Sequence, residues 1–216
     1  MAVFTCGPLI TNDQGQELAE HGSSLFPIAC YNDHISETPV PWHWHPEWEA
    51  LVVTEGIVQV SVNGESHVVK PGEGVFINAG ALHECRNAGE GNCRLRSLVF
   101  HPRLVGGSVD SILWQKYVEP LVADPSLACV CFQNNSPWEQ ETANAIAQCW
   151  TLCANEEAGF EFQVRQQLSR LVFLLCQNCL TQDKPPSQKA QREGERVKLM
   201  LQYIQENLAE ELTLAS

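Results

Sequence analysis

Positive charge is scarce in this chain. Thirteen Lys and Arg stand against 26 Asp and Glu in 216 residues, giving a formal net charge of -13. Such a surface repels phosphate backbones, so these residues by themselves are not expected to bind nucleic acid well. No apolar run is long enough to span a bilayer, and no membrane partner is expected. The N-terminus, MAVFTCGPLITND, lacks a basic region followed by an apolar core, so it does not read as an export signal and a cytoplasmic setting is expected. The ten Cys are therefore expected to be reduced thiols. Cys149 with Cys153, and Cys176 with Cys179, sit at helical spacing among apolar residues. Neither pair has a nearby His or further Cys to complete a zinc or redox site, and both read as small core-filling side chains.

Against these absences, 44% of the chain is hydrophobic, enough for a real core in one or two domains. The stretch from His43 to Asn87 carries the chemistry. It opens PWHWHPEWEALVVTEG, with His43, His45 and Glu49 on odd positions of one extended run. Side chains two apart on a strand share a face, so two imidazoles and a carboxylate are expected to project together. His83, in GEGVFINAGALHECRN, is the fourth candidate. These four residues can supply a site for one first-row divalent ion, with Zn, Ni, Fe and Mn all open. The alternative is that they hydrogen-bond one another or a polar ligand. Glu47 and Trp48 are further candidates for contact with a small molecule, beside His43, His45 and His83. Trp42 and Trp44 alternate with the histidines and should pack on the opposite face, while His67 and His101 read as surface or turn residues.

Short alternating segments surround this stretch. Strands are expected at 26–31, 48–54, 57–62, 66–69, 74–77, 83–86 and 95–100. Asn63-Gly64 reads as a hairpin turn because both residues tolerate positive φ. After His101-Pro102 a short helix is expected over 109–118 and a last strand over 128–132. Ser136, Pro137 and Glu139 carry start signals for a helix whose apolar stripe is Ala143, Ile146, Ala147, Trp150 and Cys153. A second helix is expected over 161–180, with Val164, Leu168, Leu171, Val172, Leu175 and Cys179 on one face. So apolar a helix is covered either by the first helix or by a partner copy. In the second case charge substitutions at Leu168 and Leu175 would split a homodimer. The residues before 38 read mostly as an arm able to cover the mouth of a barrel.

The motifs resemble two known families. His43, His45, Glu49 and Gly56 match the first cupin motif position for position. Gly72, Gly80, His83 and Asn87 match the second, in which Asn78 replaces a Pro and is expected to alter turn rigidity. The resemblance implies a mainly β fold with α-helices: a cupin barrel, the double-stranded β-helix or jelly roll, followed by helices. The tail VKLMLQYIQENLAEELTLAS and the post-barrel stretch FHPRLVGGS are similar to AraC-type transcriptional regulators. That likeness implies a sensing barrel with its arm over 1–135, a helical dimerisation region over 136–181 and a linker over 182–194. The opening of a helix-turn-helix domain would follow over 195–216, cut before its DNA-reading helices. The implied partners are a small-molecule effector, a second copy through helix 161–180, and DNA only through the missing domain. A metal-dependent cupin enzyme, an oxygenase or isomerase, is the other reading of the same ligand set.

Overall fold

The computed structural model describes residues 3–4, 9–36 and 38–180. The expected linker and helix-turn-helix opening lie outside the described residues. Among these described residues ten strands run in the order β1 (Val3–Phe4), β2 (Ile28–His34), β3 (Val40–His43), β4 (Trp48–Glu55), β5 (Val58–Val62), β6 (Glu65–Val69), β7 (Gly74–Ile77), β8 (His83–Asn87), β9 (Arg94–Phe100) and β10 (Cys129–Phe132). The α-helices of the described residues follow β9 or flank β10: α1 (Arg103–Gly106), α2 (Glu119–Ala123), α3 (Pro137–Asn155) and α4 (Phe160–Asn178).

The strands form two sheets, ordered β1-β2-β9-β4-β7-β10 and β3-β8-β5-β6. Every pairing but β1 with β2 is antiparallel. This is the two-sheet barrel that the motifs imply. Asn63 and Gly64 take φ of 49° and 90°, and Val62 pairs with Glu65 across them, as a two-residue hairpin requires. Gly56, at φ 76°, has no room for a side chain, because a Cβ there would stand 2.3 Å from the Asn92 carbonyl oxygen.

The period of two sorts β4 into two faces. Leu51 and Val53 point into the barrel with Val58, Val60, Val75, Ile77 and Leu95. Trp48, Ala50 and Val52 point the other way, into a second core shared with Phe76, Phe100, Ile146, Trp150 and Leu168. The six-stranded sheet is therefore buried on both faces, by the barrel interior and by the α3–α4 hairpin. Burying Trp48 completely contributes roughly 2–3 kcal/mol of apolar transfer free energy.

Several expectations change. His43, His45 and Glu49 do not lie on one strand: the chain leaves the four-stranded sheet after His43 and joins the six-stranded sheet at Trp48. The helix expected over 109–118 begins later and continues as a π turn over Trp114–Val118 into α2. Leu168 and Leu175 pack in their own subunit's core rather than on an outer face, so charges there would unfold the chain rather than split a dimer. The start of α3 has Pro137 in its first turn as expected, but the Ser136 hydroxyl makes no cap bond. Glu139 reaches back instead and accepts the backbone N–H groups of Gln133 and Asn135.

Asn78, the residue in place of the motif's Pro, is a buried tie rather than a loosened turn. Its Oδ1 accepts the Trp48 indole N–H at 2.8 Å and the Ala79 N–H at 2.8 Å. Its Nδ2 donates to the Leu121 carbonyl at 2.7 Å, and its backbone N–H donates to Ala128 at 2.9 Å. It joins the barrel wall to α2 and to the approach of β10.

Candidate metal centre

His43 ends β3 and stands opposite His83 on β8, while Glu49 comes from β4 in the facing sheet. His45 sits in the crossover between them. The four side chains converge although the single strand expected to align them is broken. Their ligand atoms lie within 4.8 Å of one another, and all four residues are at least nine-tenths buried. Glu49 Oε2 is 3.1 Å from His83 Nε2 and 3.5 Å from His45 Nε2.

The tautomers are fixed by backbone carbonyls. His43 Nδ1 meets the Pro41 carbonyl at 2.8 Å, His45 Nδ1 meets Glu47 at 3.2 Å, and His83 Nδ1 meets Ala81 at 2.8 Å. A carbonyl only accepts, so each Nδ1 carries the proton and each neutral ring turns the Nε2 lone pair inward. Two consequences follow. His45 Nε2 is buried without a hydrogen-bond partner. His83 Nε2 and Glu49 Oε2 face each other as two acceptors unless a cation, a proton or a metal ion, lies between them. Three imidazole nitrogens, each ring oriented from behind by a carbonyl, and a carboxylate fit a first-row divalent ion.

Without such an ion, charge and burial compete. Burial opposes ionisation of Glu49, but the facing His45 and His83 imidazoles win and hold it well below the usual carboxylate range. Burial works to lower His83, yet Glu49 outweighs it and holds that imidazole above its ordinary value. Burial, then the facing charge of His83, pushes His43 down to about 4.

Two further residues reach this cluster from the arm. Gly15 and Glu17 pair with the Trp44 backbone at 3.1 and 2.9 Å, which sets Glu17 over the histidines. Glu17 Oε2 lies 3.3 Å from His21 Nε2 and 3.8 Å from His43 Nε2, and His21 Nδ1 bonds the Tyr31 hydroxyl at 2.8 Å. Leu9, Glu17 and His21 line one side of a cavity whose walls include Asp33, Ser97 and Val99 as well as the four cluster residues. The remaining free volume is about 30 Å³, room for an ion and water but not for a sugar-sized guest.

The other candidates are placed differently. Glu47 is half-buried behind His45: its carbonyl accepts a hydrogen bond from His45 Nδ1–H, and its carboxylate is 3.8 Å from that nitrogen. Trp48 is fully buried on the opposite face of β4, against Phe76 and Phe100, and does not line the cavity. Trp42 is exposed, and Trp44 donates its indole N–H to the Gln14 carbonyl at 3.0 Å, so it holds the arm. His67 is no plain surface residue; its Nε2 lies 3.5 Å from Cys129 Sγ.

Two antiparallel sheets closed around an inward set of three imidazoles and a carboxylate define a cupin-type barrel. Its sequence places it more narrowly: the model of the AraC-like ligand binding domain matches residues 25–172, and the chain belongs to that family. It is similar to an uncharacterized HTH-type transcriptional regulator, YdeC, of Bacillus subtilis (strain 168), with 27% identity over 202 residues, 92% of this chain and 68% of that protein. Among solved structures it resembles a predicted oxalate decarboxylase of Thermotoga maritima at 23% identity and TM-score 0.28, over 29% of this chain and 56% of that one. It also resembles a putative ethanolamine utilization protein Q of Salmonella typhimurium at 20% identity and TM-score 0.30, over 34% of this chain and 57% of that one. Among the described residues no helix is long and apolar enough to cross a membrane.

Proposed function

We propose that this chain is the effector-sensing part of an AraC-type transcriptional regulator. His43, His45, Glu49 and His83 hold one first-row divalent ion, and a small-molecule effector completes its coordination. The observation that carries this reading is the convergence of four buried ligand atoms, from His43, His45, Glu49 and His83, within 4.8 Å of one another, with His45 Nε2 unpartnered among them. Three imidazoles and a carboxylate leave coordination positions open, and an anionic or hydroxyl-bearing guest supplies the missing donors. Because Leu9, Glu17 and His21 line the small cavity beside the four ligands, a larger guest makes room by displacing the arm. Glu17 and His21 thereby report occupancy to the rest of the chain.

In this reading residues 1–135 are the barrel with its arm, 136–181 the helical region, 182–194 the linker, and 195–216 the opening of a helix-turn-helix domain that reads DNA. The helical region pairs two copies through the outer side of α4, where Phe162 and Phe173 stand exposed about three turns apart on one side. The open coordination positions also suit a metal-dependent enzyme, and turnover of a bound guest would favour that reading.

The deciding measurement is elemental analysis of protein purified without a histidine tag. One equivalent of metal is expected to be lost on His45→Ala while the circular dichroism spectrum is kept. Folded wild-type protein from which His45→Ala removes no metal would end the proposal.

A further inference from the structure

Two strands leave the barrel with an open edge. Among the described residues β6 pairs only with β5, and β10 only with β7, so each ends its own sheet. Across that gap three donors meet: His67 from β6, and Cys129 and Cys131 from β10. Their ligand atoms lie within 4.8 Å of one another, and His67 Nε2 is 3.5 Å from Cys129 Sγ. The two Cys are two positions apart on one strand and so share its inner face, in register with Ile77 and Val75 of the barrel core. His67 is likewise two positions before Val69 of that core. All three are half-buried, so solvent ions can reach them. Glu65 faces Cys129, and Glu73 and Glu139 face Cys131, which makes the surroundings negative.

We propose that His67, Cys129 and Cys131 form a second cation site, for a thiophilic ion of the Zn(II) or Cu(I) class, which fastens the open edge of the barrel. Two thiolates and one imidazole are the soft donor set such ions select, with a fourth position left to water. The ion displaces two thiol protons to solvent as the two metal–sulfur bonds form. Of this pair Cys129 is drawn down to about 7, chiefly by a hydrogen bond from Cys131, while that same hydrogen bond and burial hold Cys131 above its ordinary value, so the ion displaces the second proton against that shift. The site is separate from the first in chemistry and in place. Glu49, Ile77 and Cys129 form one row across β4, β7 and β10, so the two sites lie two strand spacings apart, about 10 Å. β10 leads after four residues into α3, so an ion here would fix the strand from which the helical region departs. This inference does not depend on what the first cluster binds.

The test uses the whole 216-residue chain, reduced and stripped with chelator, titrated with Co2+ alone. The first cluster contains no sulfur, so a thiolate-to-cobalt charge-transfer band reports the second site. The band is expected to saturate at one equivalent, to be displaced by Zn2+, to vanish in Cys129→Ser and Cys131→Ser, and to need at least tenfold more Co2+ in His67→Gln. A second measurement needs no variant: Zn2+ should slow alkylation of Cys129 and Cys131 by tenfold or more, read by peptide mass spectrometry, while leaving Cys176 unchanged. No band, a band that persists in the doubly substituted chain, or alkylation indifferent to Zn2+ would overturn the proposal.

Discussion

Replacing Asn78 with Ala tests the architecture at the point where the barrel meets its helices. The substitution deletes three hydrogen bonds, to the Trp48 indole, the Ala79 N–H and the Leu121 carbonyl, at 2.7 to 2.8 Å. Each is worth about 1 kcal/mol net, and an indole N–H left buried without an acceptor costs about 1–3 kcal/mol by itself. Trp48 is fully buried, so water reaches that N–H only by disturbing the core. The expected loss is about 3–5 kcal/mol, a large part of the stability of an ordinary domain. Urea unfolding followed by circular dichroism measures it. In the Asn78→Leu, Trp48→Phe double substitution the donor and its acceptor disappear together, and the loss should be smaller than the sum of the two single losses. Asn78→Pro, which restores the motif residue, should cost more than Asn78→Ala, because it also removes the N–H bound to Ala128. A loss below about 1 kcal/mol for Asn78→Ala would refute the reasoning, since one hydrogen bond alone is worth that much.

The metal-free protein should show a pH optimum set by its histidines. His43 is lowered from 6.5 to about 4, so below pH 6.5 the unfolded chain takes up a proton that the folded one refuses, and stability falls as pH drops through that window. Glu49, held well below its ordinary value, adds a further loss at lower pH. His83 is raised, so its contribution is complete below 6.5 and fades as pH rises through its folded value. His45 and Glu17 face the same groups. Urea midpoints in chelator are expected to peak near pH 6.5, and a flat profile between pH 4 and 9 would contradict the arrangement. If α4 pairs two copies through Phe162 and Phe173, sedimentation equilibrium will show a dimer that Phe162→Glu with Phe173→Glu converts to folded monomer; wild-type monomer at every concentration would exclude the interface.

Much of the barrel is legible in the sequence because its strands alternate and its turns carry Gly at positions with φ above zero. β4 through β9 fall within a residue or two of the segments expected from alternation. The cluster was readable through motif spacing, and it survives the break between His43 and Trp48 because the two sheets face each other across the interior. Trp48 misled for the same parity reason that makes Glu49 readable: one position later on β4 is the other face. The apolar stripe of α4 shows that a face is buried but not what buries it, and in the fold α4 packs on α3, α1 and the π turn, with Leu168 and Leu175 buried in the shared core. Glu17 and His21 carried no periodic signal, since backbone pairing with Trp44 places them. The Cys129-x-Cys131 alternation was visible on an expected strand, but only the topology brings His67 to it from 62 residues earlier.

The arm has a kinetic corollary. A guest seated beside Glu49 would leave past Leu9, Glu17 and His21, so its residence time would be governed by how readily Gly15 and Glu17 unzip from Trp44. Loosening that short stretch would quicken release without altering a single ligating atom. Duration of the signal and strength of coordination could then be tuned by separate parts of one polypeptide.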